Sequence, residues 1–388
     1  MIDIDGKIRR SVGELERYII REHYRGYDPF DALTSPLCRV PLIGSSRVFK
    51  LALQQGMKRM PMNIRPLLGI VKGRNPVTLG LCIEAFSWLT KVFPERKDLY
   101  ASEIKSCLEM LVQSRSTGFS GACWGYDFPW EARQMSLPAN YPTIVATGII
   151  TNALFVCHTI TNNQQALDLC RDAVKFVMND LNKTQFGESF CYSYSPQDRQ
   201  CVLNATMKGA RLLAQVYSIT GERGLAEEAK RTVRFVADAQ HENGSWPYAH
   251  RDPRTWVDNF HTGYILDCLD EYSRLTGDDQ YTPVMKKGFA YYRANFFQPD
   301  GFPKYYDSKA YPLDPTAAAQ SMLTLCRFND TATATKVALL MIDSMQDQEG
   351  FFYYQRRPGR VNKVSFMRWS NAWMFAALSY ILFMSGSK

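Results

Sequence analysis

Trp256-Val-Asp258-Asn-Phe-His261-Thr262 sets a carboxylate and an imidazole three residues apart. On a helix, residues at that spacing share a face. Such a pair suits general acid-base chemistry, which needs a positioned group able to exchange a proton near neutral pH. Asp258 is the first candidate for that group, and His261 would tune it or relay its proton. Each has a purely structural alternative: an aspartate ahead of a helix is a good N-cap, and buried histidines are commonly hydrogen-bonded. Asp314-Pro315 repeats the plan further along the chain, with a cap residue followed by Pro at the first helical position. Asp127 lies between aromatics in Trp124-Gly-Tyr126-Asp127-Phe-Pro-Trp130, where a carboxylate has few structural jobs. Asp127 and Asp314 are thus the candidate partners of Asp258.

Aromatic residues surround these carboxylates. Five stretches open on Gly and continue with rings: Gly121-ACWGYDFPW, Gly187-ESFCYSY, Gly244-SWPY, Gly301-FPKYY and Gly350-FFYY. Together they offer Trp124, Tyr126, Trp130, Tyr194, Trp246, Tyr248, Tyr305, Tyr306 and Tyr353, and Trp256 adds another ring. Tyr and Trp combine an apolar face with a polar edge, which suits a sugar with CH-rich faces and hydroxyl rims. The alternative is that these rings plug the core. His250, Arg251 and Arg254 precede Asp258 and could hold an acid group by charge-assisted hydrogen bonds. No H-E-x-x-H, EF-hand loop or C-x-x-C pair occurs, so no metal or cofactor is expected.

Helical periodicity runs from residue 46 onward. Twelve helices are predicted, near 47–60, 76–93, 99–115, 142–159, 163–182, 202–219, 224–241, 256–275, 281–297, 315–328, 331–346 and 368–385. They alternate between charged, striped helices and helices rich in small and apolar residues. A striped helix faces water on one side, and one apolar nearly all round is buried. Six inner helices alternating with six outer ones describe an all-α (α/α)6 toroid over 46–388. Residues 1–45 read as an irregular N-terminal extension packed on it. The last four inner helices start roughly 55 residues apart, a spacing typical of helical-hairpin arrays. Inner-to-outer turns are short, and the return connections are mostly long. In an antiparallel array the long ones emerge together, and long loops on a rigid scaffold usually carry function.

The chain has 388 residues, 46% hydrophobic, and a net charge of +8. The charge lies in clusters: Arg9/Arg10, Lys58 to Lys72, and Arg356, Arg357, Arg360, Lys363 and Arg368. An anionic ligand fits such clusters, and the loop around Arg356 to Lys363 could touch a membrane or a polysaccharide synthase. Nucleic acid is disfavoured, because helix-turn-helix, zinc-finger and RRM signatures are missing. No signal peptide or spanning helix is expected, which points to the cytoplasm. The ten cysteines are then free thiols of a reducing compartment.

Trp256-Val-Asp258-Asn-Phe-His-Thr-Gly263 resembles the W-x-D-G-L-Y-M-G stretch of unsaturated glucuronyl and rhamnogalacturonyl hydrolases, although Phe-His-Thr replaces Leu-Tyr-Met. That resemblance implies an aspartate acting as general acid on an enol ether. Gly244-Ser-Trp-Pro is similar to the Gly-Gly-Trp-Pro of glucuronyl C5-epimerases, whose helical domain is a comparable toroid. Nearly the whole chain, including Gly26-Tyr-Asp-Pro-Phe-Asp-Ala-Leu33, resembles bacterial proteins associated with surface-polysaccharide biosynthesis. The resemblances imply a hydrolase, lyase or epimerase acting on an anionic, uronate-type sugar or oligosaccharide. The alternative is a non-catalytic glycan-binding or scaffold protein of a polysaccharide assembly machinery. An isoprenoid-binding toroid is a third option, disfavoured by the polar loops.

Overall fold

The computed structural model describes residues 3–41 and 46–386. Six helices form an inner ring: α3 (Pro76–Val92), α5 (Ile144–Thr161), α7 (Leu203–Thr220), α9 (Asn259–Thr276), α11 (Pro315–Arg327) and α13 (Trp373–Gly386). Each packs on the next, and α13 packs on α3, so the ring closes. These helices bury residues on every side; α3 is buried almost without a break from Pro76 to Thr90. An apolar circumference is stable only with neighbours all round, and a second ring provides them. Helix α5 is long and apolar enough to cross a membrane, but it stands between α3 and α7 with most of its surface covered.

The outer ring comprises α1 (Ile4–Arg21), α4 (Lys97–Gln113), α6 (Gln164–Asn179), α8 (Arg223–Asp238), α10 (Thr282–Asn295) and α12 (Thr331–Met345). Helix α1 shows the stripe an outer helix needs, burying Ile8, Val12, Leu15 and Ile19 at helical spacing. It packs against α13 and α12 and takes the sixth outer place. Two details show that it is equivalent to the others. Gln240 donates to the Gly244 and Val284 carbonyls, bracing a loop on α10; Gln346 donates likewise to Gly350 and to Ser11 of α1. A Cβ on Gly244 would meet the Lys287 carbonyl of α10, and one on Gly350 the Glu14 carbonyl of α1. Both glycines also have φ above +90°, a conformation natural to glycine alone.

Helix α2 (Arg47–Arg59), counted from sequence among the twelve, lies instead across the long-loop end. Its Gln54 donates to the Glu131 carbonyl at 3.0 Å, and its Arg47 pairs with the Glu131 carboxylate at 2.8 Å. Inner-to-outer turns are short throughout, and the long connections gather at the opposite end. Three of those carry antiparallel hairpins: β1–β2 (Trp130–Glu131 and Ser136–Leu137), β3–β4 (Lys183–Phe186 and Ser189–Tyr192) and β5–β6 (Tyr353–Arg357 and Arg360–Ser365).

Candidate functional site

At the long-loop end the inner helices begin around a cavity of ≈ 290 Å³. Asp258 is the N-cap of α9, its Oδ1 accepting from the His261 backbone N–H at 2.9 Å. Its Oδ2 lies 2.6 Å from His261 Nδ1. The Asp258 side chain is only 2% exposed, whereas the His261 side chain is 22% exposed. Both residues line the cavity. The carboxylate is therefore the inner member of the pair, and the imidazole is the member offered to a ligand. Capping and imidazole orientation are done by different oxygens of one carboxylate, so the two readings of Asp258 coexist.

Six of the predicted rings reach the same cavity from the long loops: Tyr126, Trp130, Tyr194, Tyr248, Tyr305 and Tyr306. Trp256, 42% exposed, stacks on Tyr248 with centroids 4.9 Å apart. Burial raises the Tyr248 phenol above its usual value, so these hydroxyls are neutral donors at physiological pH.

The other predicted residues go elsewhere, each for a visible reason. Trp124 and Trp246 are core plugs. Trp124 Nε1 donates to the Leu111 carbonyl of α4 and Trp246 Nε1 to the Val236 carbonyl of α8, both at 2.9 Å. Each pins a loop to the outer helix it has just left. Asp314 caps α11 and accepts from Thr316 N, Gln355 Nε2 and Trp369 Nε1 at 2.9, 2.7 and 3.2 Å, so its oxygens are saturated away from the cavity. Asp127 sits in a separate pocket of ≈ 110 Å³ with Asp28, Asp31 and Arg368, and accepts from Asn75 at 2.7 Å. Burial pushes its carboxyl up to about 6. Neither aspartate is brought to Asp258. Arg254 is tied to Asp252 at 2.7 and 2.8 Å, and His250 and Arg251 pack on Phe186. Tyr353 donates to Asp347.

The fold adds residues not singled out for the site. Phe30, Lys58, Arg368 and Trp369 line the cavity. The Lys58 ammonium lies 4.4 Å from the Phe30 ring centre and makes no hydrogen bond or ion pair with the described residues. Burial lowers its pKa. Arg368, in contrast, is committed to Asp28 at 2.6 and 2.9 Å, and Asp31 of the same strap pairs with Arg65. The acids of Gly26-Tyr-Asp-Pro-Phe-Asp are thus structural, and Phe30 is the strap's contribution to the cavity. Lys58, Tyr305 and Tyr306 also border an adjoining polar cavity of ≈ 500 Å³ that contains Arg59, Arg357 and Arg360. Sequence signals existed for these cations as charge clusters, but nothing local distinguished the free Lys58 from the paired Arg368. Among the described residues, no group of three or more His, Cys, Asp or Glu is placed to hold a metal ion.

This architecture recurs in solved structures. Cellobiose 2-epimerase from Bacillus thermoamylovorans superposes with a TM-score of 0.62 at 14% identity, over 79% of this chain and 87% of the epimerase. The unsaturated glucuronyl hydrolase of Bacillus sp. GL1, responsible for the degradation of glycosaminoglycan, superposes with a TM-score of 0.60 at 11% identity, over 97% and 96% of the two chains. The GH76 α-mannanase BT2949 of Bacteroides thetaiotaomicron gives 0.59 at 13% identity, over 80% and 86%. The shared fold is the (α/α)6 toroid. No protein-family model and no curated sequence matches the chain.

Proposed function

We propose that this protein is a carbohydrate-active enzyme that moves a proton on an acidic, uronate-type sugar held in the long-loop cavity. The observation that carries the reading is the Asp258–His261 hydrogen bond at the wall of an aromatic-lined cavity. Asp258 fixes the imidazole's tautomer and orientation; His261 exchanges the proton with the sugar. The rings around it take the sugar's CH faces, and the unpaired Lys58 ammonium takes its carboxylate. Arg357 and Arg360 extend the anionic path for an oligosaccharide. Two-carboxylate glycosidases flank the bond with a pair of acids roughly 5 to 9 Å apart. Among the described residues Asp258 is the one carboxylate lining this cavity. That favours proton-transfer chemistry, meaning elimination, epimerisation or enol-ether protonation, over double displacement. The toroidal neighbours act on sugars, and the resemblance to polysaccharide-biosynthesis proteins supports a role in making or modifying a surface glycan.

The test is turnover of uronates, unsaturated uronides and short acidic oligosaccharides by wild type, Asp258→Asn and His261→Ala. General acid-base groups contribute about 10²- to 10⁴-fold, so both variants should lose activity on that order. Binding, followed as ligand-induced thermal stabilisation, should persist. Unchanged turnover in His261→Ala would reject the assignment. Binding by the wild type with no turnover of any of these sugars would favour the second reading, a non-catalytic glycan-binding protein, in which Asp258 serves only as the N-cap of α9.

A further inference from the structure

The toroid has a second cavity at its short-turn end, ≈ 450 Å³ in volume. Ile149, Tyr264 and Trp373 line both cavities and form the partition between them. The wall of the second cavity is charged, and much of the charge has no partner. Lys208, 1% exposed, rests its ammonium 3.6 Å from the centre of the Tyr264 ring and makes no hydrogen bond or ion pair with the described residues. Arg211, one turn along α7, has a single hydrogen bond, to the Gly148 carbonyl at 3.2 Å. Glu84 accepts one long bond, from Asn152 at 3.5 Å. Asp267 Oδ1 is buried without any hydrogen bond; its nearest cation is Arg327 Nε at 3.9 Å. Arg327 itself is occupied by Asp270 and Glu271 at 2.9 and 2.6 Å.

Buried charges are normally paired, because desolvation is costly. Here paired and unpaired groups share one wall, and the unpaired ones face the cavity. Burial pulls the Lys208 ammonium down to about 7 and pushes the Glu84 carboxyl up to about 7. Groups displaced this far inside a cleft concentrate at binding and catalytic sites. The volume is that of a small-molecule pocket. Cations alone would fit any anion. Cations beside carboxylates with acceptor capacity to spare, Asp267 Oδ1 and Glu84, and with aromatic walls, fit an anion that also carries several hydroxyl donors.

We propose that the short-turn cavity is a second binding site, for a monosaccharide-sized polyhydroxylated anion (a sugar acid or sugar phosphate). Lys208 and Arg211 hold its acid group, and Glu84 and Asp267 accept from its hydroxyls. This site is separate from the Asp258–His261 centre, and the inference stands whether or not that centre is catalytic.

Trp88 lines this cavity and not the other, so the part of a fluorescence change that is lost in Trp88→Phe reports on its occupancy. The full chain is titrated with glucuronate, glucose 6-phosphate, inorganic phosphate and glucose, in wild type, Lys208→Met, Glu84→Gln and Trp256→Ala. Glucuronate or glucose 6-phosphate should change the Trp88 signal with saturation, and the two arms decide between carboxylate and phosphate. Glucose and inorganic phosphate should bind at least tenfold more weakly. Lys208→Met and Glu84→Gln should each weaken this Trp88-dependent binding tenfold or more, and Trp256→Ala, which alters only the long-loop cavity, should leave the Trp88-dependent part unchanged. Lys208→Met guards against a folding artefact: removing an unpaired buried charge should raise the melting temperature while binding is lost. The proposal is overturned if neither sugar anion binds, if Lys208→Met binds as wild type does, or if Lys208→Met melts lower than wild type.

Discussion

At the long-loop end the cavity wall is aromatic and the Asp258 carboxylate is hydrogen-bonded through both oxygens. At the short-turn end the wall is built from charged side chains of the inner helices, several of them unpaired. Three side chains, Ile149, Tyr264 and Trp373, separate the two. The loop end offers broad ring faces with few charges; the turn end offers a wall dense in charge. The contrast follows from what each end is made of. Long loops can fold rings inward from many directions. Short turns cannot, so the chemistry at that end must come from the helices themselves.

The sharpest test of this division is within the loop end, where rings of one type do two jobs. Trp246→Ala should cost about 3–5 kcal/mol in a denaturant melt, because it empties a packed site and strands the Val236 carbonyl. Trp256→Ala, at an exposed ring, should change stability by no more than about 0.5 kcal/mol and instead weaken sugar binding. Equal stability losses would erase the distinction between anchoring and lining rings.

The turn end should reveal itself through pH. Glu84 has a folded-state value of about 7 against an ordinary 4.5, so the native state keeps its proton longer. Its contribution to stability therefore falls as pH rises from 4.5 to 7 and is level above that. Lys208 has the opposite sense: about 7 in the native state against 10.5. The unfolded chain binds the extra proton, so stability is lost as pH falls from 10.5 to 7 and is level below. Glu84→Gln should flatten the acid limb and Lys208→Met the alkaline limb, each by a few kcal/mol, since one unit is worth roughly 1.4 kcal/mol. Denaturant melts at pH 5, 7 and 9 measure this, and parallel curves for wild type and variants would contradict it.

The smallest effect belongs to the basic rim. Arg357→Ala with Arg360→Ala should weaken binding of an acidic oligosaccharide by about 1 kcal/mol per residue, with the difference fading at high salt, because these guanidinium groups are exposed. A single uronate, held by Lys58 deeper in, should bind as before. Equal losses for both ligands would merge the two cavities into one site.

The ring of inner helices was legible because an apolar circumference such as that of α3 leaves no face for water. The sixth outer helix was not. Helix α2 carries an equally good helical pattern, and nothing near Ile4 announces a partner more than 300 residues away. The Gly-aromatic loops were readable as a set, yet their rings were sorted only by the fold. Trp124 and Trp246, the first rings after their glycines, reach back to a carbonyl of the preceding helix, whereas Tyr126 and Tyr248 lie beyond that anchor and turn inward. Asp258 with His261 emerged from spacing alone, since three residues at a helix start force contact. Asp127 and Asp314 could not be excluded that way, because their partners Asn75, Gln355 and Trp369 come from distant segments. Lys208 and Arg211 left a faint trace as charges inside an otherwise buried stretch of α7.

The closure of the outer ring by α1 has a consequence for how the chain folds. An open stack of hairpins contacts only near neighbours and can grow or fray from either end. Here the Ser11 hydroxyl bonds the Gln346 side chain across 335 residues of sequence. That seam forms only after the whole stretch from Ser11 to Gln346 has been made, and closing so long a loop carries an entropy cost. Folding should therefore be slow for a helical protein of this size, in keeping with its many distant contacts. Unfolding should be all-or-none, with α1 acting as the keystone between α12 and α13.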